Sequence, residues 1–491
     1  MTGFEDDDAT ALAARVRTGE VHPTELVDAA IAAVERVNPA LNAVVHPLYE
    51  RARAEAKGAL PDGPFRGVPF AIKDLDGALG GEPYTQSSRS LRAHVAPHDS
   101  EVIARMRRTG VIPVCKTNTP EFGIMGVTES ELRGPARNPW DPSVTPGGSS
   151  GGSAALVAAR ALPFAHAGDG GGSIRIPASH TGLFGLKPTR ARVPVDGGEA
   201  WSGYVQQLVV SRSVRDTAAM LDAIHGPSPG APYQVLPPAR RYVDEIETPP
   251  GRLKIAFTAV SLLGRTTDPA HAAAVHDTAK LLADLGHEVV EEHPPIEREA
   301  LVRAYLVVVA AGVAAAIAES GRLTRRAPVA ADFELSTWLL GQIGTALSAY
   351  DLHKAREDAC AAGRAMATFH ERYDLLLTAT TAYPPPVIGE LGLKSYERFG
   401  LRLMQAAPVK AVLLKVLDDL AGKSLEKTPN TQLFNQTGQP AMSVPLATGP
   451  GGLPIGLQLS AAFGDEGTLL RLAAQLEQAR PWAGRKPGIH A

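Results

Sequence analysis

The stretches GVPFAIKD, residues 67–74, and GVIPVCKTN, residues 110–118, decide the fold. Each is short, apolar, opened by glycine and closed by polar groups, which predicts a strand ending at a polar site. Residues 99–109 between them read as a helix. Strand, helix, strand, with both strands apolar, predicts an α/β chain whose central sheet is covered by helices.

Working outward, residues 9–18 and 23–37 carry apolar residues at helical spacing, and Pro23 suits a first-turn position. Helical character returns at 49–59, at SAALVAARAL (153–162) and at 214–226, which glycine ends. The proline-rich segment 227–251 reads as a surface connection. KIAFTAV (254–260) reads as a strand, and 271–290 as a helix followed by a strand. Residues 297–320 and 331–374 read as mostly helical. A buried strand is expected within 373–386, two paired strands within 439–461, and a last helix over 465–480.

Composition excludes several classes. The 491 residues are 44% hydrophobic and 21% charged, an ordinary globular balance, with a net charge of -3 that gives no footing for nucleic acid. Length alone suggests two to four domains. The acidic start MTGFEDDDAT has no apolar core of a signal peptide. AYLVVVAAGVAAAIA (304–318) falls short of the ~20 residues that span a bilayer, so a buried core helix and no membrane are expected. Cys115 and Cys360 lie in no CxxC pair, which fits a reducing cytoplasm.

Three polar sites sit in glycine- or proline-bounded turns: Lys73, the pair Ser149 and Ser150 in PGGSSGGS, and Ser173 in GDGGGSIR (168–175). Burial at the end of an apolar strand would lower the pKa of Lys73 and make it a usable base; a lysine reaching water is the plainer reading. Gly148, Ser150 and Gly152 fit the G-x-S-x-G elbow, but proline-rich WDPSVTP replaces the strand that motif needs. GDGGGSIR matches neither a Walker loop nor G-x-G-x-x-G. What remains is a run of amides, at Gly170, Gly171, Gly172 and Ser173, able to converge on an oxyanion with the Ser173 hydroxyl beside them. HEVVEEH (287–293) spaces its histidines six apart, which does not suit one helix face, so no metal site and no cofactor are expected.

Taken together, GVPFAIKDL, KTNTPEFG, NPWDPSVTPGGSSGGSAALVAA, GDGGGSIRIPASHTGLFGLKPT and the C-terminal QPAMSVPL and GLPIGLQL resemble the amidase signature family, over nearly the whole chain. The N-terminal stretch, SIRIPAS and LLLTATTAYPPPVIGEL look most like its group that hydrolyses the 6-aminohexanoate cyclic dimer. The resemblance implies a three-layer α/β/α fold with a large mixed sheet. It also implies one domain over 1–491, a signature core at about 65–225 and a mostly helical substrate-pocket region at about 297–430. It implies a Ser–cis-Ser–Lys triad in which Ser173 is the nucleophile, Ser149 the bridge and Lys73 the base. The oxyanion donors become Gly170, Gly171, Gly172 and Ser173. Asp169, Arg175 and Ser150 support the loop, and Gly123, Ile124 and Met125 line the substrate channel. Relatives carry Thr or a small apolar residue at Gly170, so a more mobile loop and a wider pocket are expected here. The implied substrate is a small amide or carbamate, with a homodimer left open. Asp74 must turn away from Lys73 for that lysine to act as a base.

Three other readings stay open at this point. One is the amidase-type chain, the A subunit, of a glutamine-dependent tRNA amidotransferase, which shares the signature; a second is a Ser–His–Asp hydrolase using Ser150; the third is a non-catalytic relative, against which the intact triad speaks.

Overall fold

A computed structural model describes every residue except 1–3, 196–199, 395–397, 399–400, 403–404, 406–407 and 424. Parts of the N-terminal decapeptide, of the loop GGEAWSGY (197–204) and of the region 297–430 therefore lie outside the described residues.

Eleven strands form one sheet. Their order across it is Val44–Pro47, Ile112–Thr117, Pro69–Lys73, Phe164–Asp169, Gln206–Ser211, Phe184–Lys187, Ala441–Thr448, Pro454–Ala461, Leu375–Ala379, Lys254–Phe257 and Glu288–Glu291. Pro69–Lys73 runs parallel to both its neighbours, Ile112–Thr117 and Phe164–Asp169. The next five pairings are antiparallel, and the last two, at the Glu288–Glu291 edge, are parallel again. The sheet is therefore mixed, and helices cover it in a three-layer α/β/α arrangement.

Val44–Pro47 pairs antiparallel with Ile112–Thr117 at the edge, and the parallel trio beside it has a consequence for function. Lys73 and Asp169 each end a strand, so both stand at the carboxyl edge, where open α/β sheets form ligand clefts. Apolar side chains on both faces fix these strands. Phe65 and Phe70 pack on Phe164 with ring centroids 4.8 and 4.9 Å apart, inside the main core. Aromatic pairs at that spacing add to simple burial.

The helices expected from periodicity are found at Ala9–Arg17, Pro23–Leu41, Tyr49–Lys57, Glu101–Arg108, Gly151–Ala158, Val214–Ile224 and Glu466–Ala479. Pro23 does sit in a first turn, and Glu25 completes a capping box by accepting the N–H of His22. The proline-rich connection holds a short helix, Tyr242–Glu245.

The apolar stretch 304–318 is part of a longer helix, Arg298–Thr324, because polar residues extend it at both ends. By length and a mean hydropathy of 2.2 it could cross a membrane. Here it packs on Leu335–Ala346 and Ala349–His370, burying Val307, Val308 and Val309 among them.

Three central strands had no clear signal. Phe164–Asp169, Phe184–Lys187 and Gln206–Ser211 carry His166, Lys187, Gln206 and Gln207 into the interior, so hydrophobic periodicity does not mark them. The short helix Arg175–Thr181 was hidden by Pro177, which its first turn tolerates.

Candidate active site

Lys73 leaves the sheet edge fully enclosed, at 1% exposure. Its Nζ lies 2.7 Å from Ser149 Oγ and 3.5 Å from the Gly168 carbonyl. Burial lowers its pKa to about 8, against the opposing pull of Asp76 and Asp169. Asp74, its neighbour in sequence, faces the other way. The Asp74 carboxylate pairs with Lys116 at 2.6 Å and accepts the Thr85 hydroxyl.

One carboxylate that the sequence did not single out does approach. Asp76 Oδ2 is 3.9 Å from Lys73 Nζ. Burial raises the Asp76 pKa while Lys73 draws it down. Asp76 has a left-handed φ of +61° in the turn that follows the strand, and the two aspartates meet different lysines, Asp74 facing Lys116 and Asp76 facing Lys73.

Ser149 is buried, and the Gly148–Ser149 peptide is cis. Gly123 stands against it in a left-handed conformation, φ +70°; a Cβ there would strike Leu75 and come within 3.1 Å of Ser149 Oγ. Ser150 is committed elsewhere. Its hydroxyl donates to the Gly168 carbonyl at 3.2 Å and accepts the Gly168 N–H at 3.3 Å, tying the serine loop to the strand Phe164–Asp169.

That strand runs straight into the glycine loop, which an internal brace holds. Asp169 Oδ2 pairs with Arg175 Nε at 2.9 Å, and its oxygens accept the N–H groups of Gly172 (2.6 Å) and Ile174 (3.2 Å). Arg175 also donates to the Thr431 carbonyl, Gln458 and Asn435. Although burial works to raise it, the Asp169 pKa is held at about 2 by Arg175, Asn435 and Lys187. This brace removes one expected oxyanion donor. The Gly172 amide is taken by Asp169, leaving the amides of Gly170, Gly171 and Ser173 without a partner among the described residues.

The serines and the lysine meet in one cavity of about 410 Å³. Lys73, Ser149 and half-buried Ser173 line it, together with Asp76, Gly123, Gly168 and Gly170. Much of the remaining lining is apolar: Phe122, Trp201, Val205, and the face of Arg298–Thr324 that carries Val308, Ala311, Gly312 and Ala316. Largely apolar walls around a lysine, two serines and amides without a partner among the described residues, with Asp76 as the nearby carboxylate, suit acyl transfer through a covalent serine intermediate.

A family model described as Amidase matches residues 25–470. The chain belongs to the amidase signature family. The 6-aminohexanoate-cyclic-dimer hydrolase of Paenarthrobacter ureafaciens is 37% identical to it, over 98% of this chain and 96% of that protein. A solved structure of 6-aminohexanoate cyclic dimer hydrolase with substrate superimposes at a TM-score of 0.90 and 36% identity, covering 99% and 100% of the two chains. A glutamyl-tRNA(Gln) amidotransferase chain from Thermotoga maritima shares the fold, at a TM-score of 0.74 and 24% identity over 100% of this chain and 99% of its own.

Two expectations about this amidase need correction. Gly123 lines the cavity, but Ile124 packs into apolar clusters beside it and Met125 is 37% exposed; neither belongs to the cavity wall. The pocket is also not widened at Gly170, because the Trp201 ring stands 3.0 Å, and Val205 3.2 Å, from where a side chain would begin. The apolar wall from Arg298–Thr324 was legible as a helix, yet its uniform hydrophobicity gave no sign that one face lines a cavity.

His287 and His293 of HEVVEEH bond to Gln475 and to the Pro294 carbonyl. No cluster of three or more metal-ligating side chains occurs among the described residues.

Proposed function

We propose that this amidohydrolase cleaves the C–N bond of small non-peptide amides, linear or cyclic oligoamides and aryl amides, and the matching bond of carbamates, through an acyl-enzyme on Ser173. The observation that carries the reading is the 2.7 Å contact of a buried, pKa-lowered Lys73 with Ser149, opening on the cavity that Ser173 also lines.

Neutral Lys73 takes the Ser149 proton as Ser149 takes that of Ser173. Ser173 Oγ attacks the carbonyl carbon, and the negative oxygen is held by the amides of Gly170, Gly171 and Ser173. Ser149 then passes the proton to the leaving nitrogen, and the C–N bond breaks. Water, deprotonated along the same path, releases the acid and restores Ser173. Asp74 is held by Lys116, which leaves Asp76, 3.9 Å away, as the nearest carboxylate opposing the neutral form, and burial outweighs it. Two thiols without disulfide partners, Cys115 and Cys360, suit a cytoplasmic setting.

The test is hydrolysis of an anilide, a cyclic oligoamide and a phenyl carbamate by the purified single chain, with mass spectrometry of the quenched enzyme. Expected are turnover without partner chains and an acyl adduct on the peptide containing Ser173. Undiminished turnover by Ser173→Ala overturns the proposal, and turnover that requires added partner chains favours the amidotransferase reading.

A further inference from the structure

Two glycines frame one aromatic ring at the reacting centre. A Cβ on Gly170 would meet Trp201 Cε3 at 3.0 Å and Cζ3 at 3.1 Å; a Cβ on Gly312 would strike the opposite, pyrrole edge of the same indole. Neither glycine has a left-handed φ, so the backbone at both positions admits any residue, and what excludes a side chain is the ring and its neighbours. Gly170 carries one of the unpartnered amides of the loop before Ser173, and Gly312 belongs to the helix forming the apolar wall. The indole therefore spans the gap between the amide loop and that helix.

The chain accepts unfavourable backbone geometry to deliver it. Trp201 and Ser202 adopt φ +50° and +55°, two successive left-handed non-glycine residues, and such conformations persist where surroundings over-determine them, often at functional sites. The helix wall of the same cavity carries Val308, Ala311, Gly312, Val313, Ala315 and Ala316, with Gly312 directly under the indole. The indole thus occupies the part of the cavity next to the loop whose amides are unpartnered.

We propose that Trp201, seated on Gly170, determines specificity by admitting only slender, unbranched groups on the scissile carbonyl. The inference rests on the Ser173 reading above and adds the substrate class: amides whose carbonyl carbon bears a methylene chain, in preference to branched or aryl carbons. Gly170 is then the seat that lets the ring close over the loop, since a Cβ there would press on the ring at 3.0–3.1 Å and push it back.

The experiment compares kcat/KM for butyryl and pivaloyl p-nitroanilides. One added carbon group in a tight pocket counts about 10–200-fold, so the wild type should favour the butyryl compound by roughly 100-fold. Trp201→Ala should cut that preference at least about tenfold by raising pivaloyl turnover, with Trp201→Phe in between. Gly170→Ala should lose activity on both compounds, and adding it to Trp201→Ala should cost much less than it does alone, since contacting residues are non-additive. A preference in Trp201→Ala within about twofold of wild type overturns the proposal, as does full additivity of the two substitutions. Should Trp201→Ala not fold, wild-type rates and selectivity in Gly170→Ala overturn it equally, and a loss of rate on both compounds supports it. Ser173→Ala in the same assay separates the two readings. Residual activity there refutes the nucleophile, whereas an inactive Ser173→Ala beside an unmoved preference refutes Trp201 alone.

Discussion

Removing the Asp76 carboxylate should make this enzyme work at lower pH. In the proposed mechanism Lys73 must be neutral to accept a proton, and its pKa is lowered to about 8. At pH 7 about one molecule in ten is then competent, and each further pH unit downward costs about tenfold in kcat/KM, which reports the free enzyme. Asp76 Oδ2, 3.9 Å from Nζ, favours the charged lysine. Unit charges about 4 Å apart interact by about 1 kcal/mol in water and about 4 kcal/mol at an effective dielectric constant near 20. The cavity lies between these limits, so Asp76→Asn should lower the midpoint by roughly one pH unit or more, at about 1.4 kcal/mol per unit. The competent fraction at pH 7 would rise from about a tenth to about a half or more, a gain of roughly fivefold to tenfold. The other groups facing Lys73 are left in place: Asp169 keeps its bond to Arg175, and burial holds His166 at a pKa of about 3, uncharged throughout. The assay is kcat/KM for an anilide from about pH 5.5 to 10, on wild type and Asp76→Asn. A wild-type profile flat through about pH 7–9, or a midpoint in Asp76→Asn unmoved or higher, refutes the argument that an uncharged Lys73 is the base.

The same lysine bears on stability. Its pKa drops from 10.5 to about 8 on folding, so between those values the unfolded chain holds more protons and stability rises with pH; below pH 8 the full penalty, roughly 3 kcal/mol, applies. Lys73→Met should therefore abolish turnover yet raise the urea midpoint at pH 7, with the advantage fading towards pH 10.5. Arg175→Met strands the Asp169 carboxylate in the interior and should cost about 3–5 kcal/mol in urea unfolding, partly recovered in Arg175→Met/Asp169→Asn. Ser150→Ala breaks two bonds to Gly168 and should lose about 1–3 kcal/mol of stability while keeping activity within about tenfold. Ser149→Ala should lower kcat by several orders of magnitude. If kinetics rank those two serines the other way, the elbow reading of Ser150 returns.

What the sequence could carry depended on where each signal resides. Lys73 was legible because an apolar strand that stops at a charge is a local pattern, and a parallel neighbour on each side follows from helical connections of ordinary length. The glycine run was legible as a row of backbone donors for the same reason. Each member proves necessary for a different neighbour: the indole of Trp201 at Gly170, the hydroxyl of Tyr305 at Gly171, and a φ of +131° with Thr431 alongside at Gly172. Those neighbours lie between 31 and 259 residues away along the chain (201 − 170 and 431 − 172), so no local pattern could name them. Asp74 and Asp76 make the limit plainest. They are two identical side chains one residue apart, and only the turn after the strand decides that one faces Lys116 and the other Lys73. The capture of the Gly172 amide by Asp169 belongs to the same class, since a row of glycines advertises donors without saying which are already spent. Local composition thus marks the groups proposed to react, while tertiary contacts, as at Asp76 and Trp201, decide which neighbours surround them.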